Sequence, residues 1–96
     1  MKDTKALIEN CKNLIALCEE ALKVYTLDHF PVQYGIIQNN LGNAYITLSR
    51  VEDEFENLEK AIKAYEEVFK VFTEEEFPET YQLLQSYLFF PLSRDK

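Results

Sequence analysis

Helix breakers are nearly missing from this sequence, whose ninety-six residues include only two Gly and three Pro. Ala, Leu, Glu and Lys dominate instead, so composition alone argues for an all-α domain. Histidine occurs once, as His29 in an acidic turn, where an exposed surface role is the simple reading. A zinc site needs three or four His, Cys or carboxylate ligands, and nothing clusters with the two cysteines. The Glu-x-x-His pairs of di-iron bundles, Gly-rich phosphate loops and a Ser or Cys beside a His base are also lacking. No catalytic residue, cofactor or metal is therefore expected.

Positive charge is scarce as well. Ten basic residues are scattered among seventeen acids, leaving a net charge of −7. Phosphate recognition needs clustered Lys and Arg, so nucleic acid is not an expected partner. An anionic membrane surface is disfavoured by the same repulsion. No apolar run approaches the ~18 residues that a membrane helix requires. The opening "MKDTKALIEN" has no signal-peptide core, which makes the cytoplasm the expected location.

Cys11 and Cys18 fall seven residues apart on one helical face. At 1.5 Å per residue their Cα atoms stand about 10 Å apart, too far for a mutual disulfide. Buried free thiols are the expectation.

What the chain does have is a repeat. Laid over each other, "CEEALKVYTLDHFPVQYGIIQNNL" (18–41) and "YEEVFKVFTEEEFPETYQLLQSYL" (65–88) agree at ten of 24 positions, at a constant offset of 47. The pairs include Glu20/Glu67, Lys23/Lys70, Val24/Val71, Thr26/Thr73, Phe30/Phe77, Pro31/Pro78, Tyr34/Tyr81 and Gln38/Gln85. Apolar residues within each unit recur three and four apart, the period of an amphipathic helix. The first stripe runs Leu7, Ile8, Cys11, Leu14, Ile15, Cys18, Ala21, Leu22 and Tyr25. Phe-Pro at 30–31 and 77–78 suits a helix start with Pro at its first position, and Asp53 is a plausible N-cap. The pattern predicts four helices, near 3–26, 31–48, 53–73 and 78–90, in one domain spanning 1–96. Short turns should make neighbours antiparallel, giving stacked helical hairpins.

These residues resemble the tetratricopeptide repeat. That family's first helix carries L-G-x-x-Y and its second A-x-x-x-aromatic. Here they stand as Leu41-Gly42-Asn43-Ala44-Tyr45 and Ala61-Ile62-Lys63-Ala64-Tyr65. The period of 47 departs from the usual ~34 and looks like a longer subtype of the repeat. The resemblance implies a short α-solenoid. Its first helix is a second-type helix from an incomplete repeat, residues 31–73 make one complete repeat, and 78–90 is a terminal first-type helix. There the signature decays, with Phe89 at the position of Gly42 and Pro91 at that of Ala44.

By the same resemblance, first helices line a groove that holds a peptide or protein segment. Ile36, Asn39, Asn43 and Ile46 would face it, with Leu83, Ser86 and Phe90 on the last helix. Lysine is missing one turn before Asn43, so an acidic tail is a poor ligand, and a basic or amphipathic segment suits the charge of −7 better. For Asn39 and Asn43 the plainer alternative is solvated helix surface or contact with a neighbouring repeat. The chain is thus expected to be a non-catalytic interaction module. The alternative is a self-associating structural unit, a homodimer through a stripe of Leu83, Tyr87 and Phe90 on the last helix.

Overall fold

The structure is a computed structural model that describes residues 2–82, with the side chains of 3–82. Three helices follow in order: α1 (Lys2–Leu22), α2 (Pro31–Ser49) and α3 (Glu54–Val71). A fourth begins at Pro78 and is described through residue 82. No strand occurs among the described residues, and the chain is all-α.

The helix ends are set by local chemistry. Pro31 occupies the first turn of α2, where its missing N–H would have had no partner. The N–H groups of Phe30 and Tyr34 reach the carbonyls of Thr26 and Phe30, each at 2.8 Å. The same two bonds recur at 2.8 Å from Phe77 to Thr73 and from Tyr81 to Phe77. Edge-to-face ring pairs brace both turns, Tyr25 on Phe30 at 5.3 Å and Phe72 on Phe77 at 5.1 Å. The repeat of sequence is therefore a repeat of structure.

Two expected boundaries shift. The first helix stops at Leu22 rather than continuing to 26, because Lys23 and Val24 turn their N–H groups to the carbonyls of Glu20 and Ala21 three residues back. Such tightening satisfies the last carbonyls when no glycine is present to form a left-handed cap. Asp53 holds the N-cap position of α3 but makes no side-chain cap bond, and its backbone is left-handed at φ 46°. Asn57 instead ties the turn to the helix by donating its side-chain amide to the Glu52 carbonyl at 2.8 Å. The turn "SRVEDE" closes through this bond.

The core sits on α2. Cys11, Ile15 and Cys18 of α1 meet Leu41, Ala44 and Leu48 of α2, with Ala64 of α3 joining them. A second cluster of Ala61, Tyr65 and Val68 receives Tyr45 and Ile46 from the other flank of α2. A helix covered on two sides has no wholly polar face, and this is why α2 carries its polar residues among apolar ones. The pairs Gly35 with Phe72, Gly42 with Tyr65 and Tyr45 with Lys60 show that α2 and α3 run antiparallel. Both glycines serve this contact. A Cβ at Gly42 would sit 2.6 Å from the Tyr65 ring, and one at Gly35 would sit 2.7 Å from the Phe72 ring.

On α1 the buried face is narrower than its apolar stripe. Cys11, Ile15 and Cys18 are buried, whereas Leu7, Leu14 and Leu17 stay exposed. Neither cysteine is bridged. Burial raises both thiol pKa values, and nearby Glu19 adds to the rise at Cys18. Both sulfurs are thereby kept protonated and unreactive.

Candidate interaction surface

On α2 the residues expected to face a partner take up distinct positions. Ile36 is 50 % exposed. Asn39 is half-buried, and its Oδ1 is sealed from solvent with no hydrogen-bond partner among the described residues. Asn43 is half-buried and accepts the Tyr65 hydroxyl on its Oδ1, while its backbone carbonyl accepts Thr47 Oγ1 at 3.1 Å. Ile46 leans on the Ala61–Tyr65–Val68 cluster. Spacings of three, four and three residues put these side chains in one row along the helix. The row is thus graded, open at Ile36 and tied into α3 at Asn43. Leu83, Ser86 and Phe90 lie outside the described residues.

A polar network crosses from α2 to α3 one turn before this row. Tyr34 donates its hydroxyl to Glu67 Oε1 at 2.6 Å, and Lys70 Nζ lies 2.8 Å from Glu67 Oε2. Buried Gln38 lies beside Tyr34 one turn along α2 and pulls against the rise of its pKa. Lys70 and then Tyr34 hold the Glu67 carboxyl below its usual range. Tyr34 is pushed up, first by burial and then by its bond to the carboxylate. The partners lie on α2 and α3, so the network clamps the helix pair. Sequence reasoning saw these residues only as members of the repeat and missed the network they make. A signal was present: Tyr34, Gln38, Glu67 and Lys70 all belong to identical pairs of the repeat.

A cleft of about 230 Å³ opens where the α2–α3 turn meets α1, lined by Lys12, Tyr45, Glu52, Glu56 and Lys60 among others. Lys12 pairs with Glu52 at 3.0 Å and Lys60 with Glu56 at 3.3 Å. Lys60 also lies 5.7 Å over the Tyr45 ring, whose hydroxyl pKa is raised by burial and by Glu19. The two lysines are each paired with a glutamate, and the cleft is a junction that ties α1 to the turn. Among the described residues no group of three or more His, Cys, Asp or Glu converges. His29 reaches only Thr26, at 3.3 Å on the surface, and the acids 74–76 are exposed.

Within the described residues no helix is long and apolar enough to cross a membrane. Compared with known proteins, the chain matches no family model, no curated protein and no solved structure.

Proposed function

We propose that this chain is a non-catalytic protein-interaction module of tetratricopeptide type, working in the cytoplasm and holding a segment of a partner along α2. The observation that carries the reading is the graded row Ile36, Asn39, Asn43, Ile46. An exposed apolar residue stands beside two amides on a helix clamped rigidly to α3. Ile36 offers apolar contact, and the amide nitrogens of Asn39 and Asn43, whose oxygens are sealed or engaged, can donate to a peptide carbonyl. A basic or amphipathic segment fits the net charge of −7, which would also steer its approach.

The test is Ile36→Asp in the full chain. Because Ile36 lies outside both buried clusters, the variant should keep its helical content and melting profile. Polypeptides retained from native cytosol by the wild type should be lost by this variant, and undiminished retention would refute the assignment. Self-association is a second reading, favoured by the exposed leucines of α1.

A further inference from the structure

The two halves of the repeat are alike in sequence but not in burial. Leu14, Leu17 and Val24 of the first unit are 43 %, 68 % and 62 % exposed. Their equivalents 47 residues later are Ala61, Ala64 and Val71, at 0 %, 4 % and 6 %. The second set is covered by α2, a helix that opens with Phe30-Pro31. Among the described residues no helix lies on the first set. At 100° per residue, Leu7, Leu14, Leu17 and Ala21 share an arc of roughly 80° on α1. This is a helix-wide apolar strip.

We propose that a second copy of this chain covers the strip by laying its Pro78 helix on α1, head to tail. Two observations select that occupant. First, the helix has the right opening, since Phe77-Pro78-x-x-Tyr81 repeats the hydrogen bonds of Phe30-Pro31-x-x-Tyr34. Second, the clamp that fastens α2 to α3 occurs once whole and once divided. Tyr34, Glu67 and Lys70 make the whole one. In the divided one, Glu20 and Lys23 pair on α1 at 3.0 Å with no tyrosine, while Tyr81 stands on the Pro78 helix. The Tyr81 ring packs on Phe69 at 5.2 Å, and its hydroxyl has no hydrogen-bond partner among the described residues. Glu20 of a second copy is the acceptor that the repeat assigns to it.

Because the two surfaces differ, each copy offers one of each and the contact is heterologous, forming strings or a closed ring rather than a two-fold pair. The inference stands on the repeat and is independent of the row on α2.

Sedimentation of the full chain over a dilution series tests it, at raised ionic strength so that the like net charges of −7 are screened. The wild type should grow beyond a dimer as concentration rises. Leu17→Glu should be monomeric with unchanged helical content, since Leu17 lies outside the core. Tyr81→Phe keeps the ring and should weaken association about tenfold, the size of one hydrogen bond to a charged group. Adding Glu20→Gln to it should cost nothing further. Tyr81→Glu, which sets a second acid against Glu20, should also be monomeric alone, and mixed with Leu17→Glu it should form a heterodimer that stops there. A wild type that stays monomeric throughout overturns the proposal, even if α1 captures some other helix. So does a Leu17→Glu variant that assembles normally, or a two-fold dimer that mixing never restores.

Discussion

Residues 54–71 and 7–24 are the same helix written twice, yet one is enclosed and the other is half bare. In α3 the positions facing α2 are small, Ala61 and Ala64, and Gly42 opposite lets the backbones approach. In α1 the same positions are Leu14 and Leu17, exposed to solvent. The turn that follows each helix is unchanged, down to the Thr-to-Phe hydrogen bond and the edge-to-face rings. Identical local chemistry thus yields the same element and the same turn, while burial depends on what lies across from it. A stripe of apolar residues specifies a helix but does not specify its neighbour.

Exchanging residues between the two units breaks the comparison most sharply. Ala61→Leu, which writes Leu14 into α3, should destabilise the fold by about 3 kcal/mol, because a fully enclosed site has no room for the extra carbons. Leu14→Ala, the reverse exchange, should cost under about 1 kcal/mol in the monomer, since surface changes away from special features are mild. Urea titration of both variants measures the contrast, and equal losses would show that the two faces are equally packed.

The clamp gives the next effect. Tyr34→Phe should cost about 1 kcal/mol, a hydrogen bond to a charged group discounted for its partial exposure. Glu67 has a folded pKa below its unfolded value, so its contribution is full at neutral pH and is lost as pH falls through the carboxylate range. Acid unfolding of Tyr34→Phe should therefore show a shallower pH dependence than the wild type. An identical profile would remove the clamp from the stability of α2–α3.

Two asparagines one turn apart should respond with opposite sign. Asn43→Ala loses the bond from Tyr65 and should destabilise by about 1 kcal/mol. Asn39→Ala removes a buried acceptor that has no partner and should leave stability equal or raised by up to about 1 kcal/mol. Thermal melts at one pH distinguish them, and a shared sign would contradict the difference in their surroundings. The smallest effect belongs to the α2–α3 turn, where Asp53→Gly should stabilise by about 0.5 kcal/mol by relieving a left-handed backbone.

That four residues share one row follows from the helical period alone, whereas their facing a partner was only what the resemblance implied. Ile36, Asn39, Asn43 and Ile46 fall in one row whatever the tertiary contacts are. The unequal burial of that row was not legible. Asn43 is half engaged because Tyr65 happens to reach it from α3, and nothing in the spacing of α2 announces this. Gly35 escaped notice for a related reason, as only the Phe72 ring beside it reveals why a side chain is excluded. The ten identities of the repeat carried more than was taken from them, since several are the turn and several are the clamp.

By itself the sequence determined the helices, their Pro-headed starts and the 47-residue period, because propensity, proline geometry and periodicity act within one or two turns of chain. Tertiary structure alone decided which apolar residues are enclosed and which asparagine is tied down. Those outcomes depend on atoms brought together from distant parts of the chain. Burial and hydrogen-bond partnership are properties of that meeting and not of any single segment.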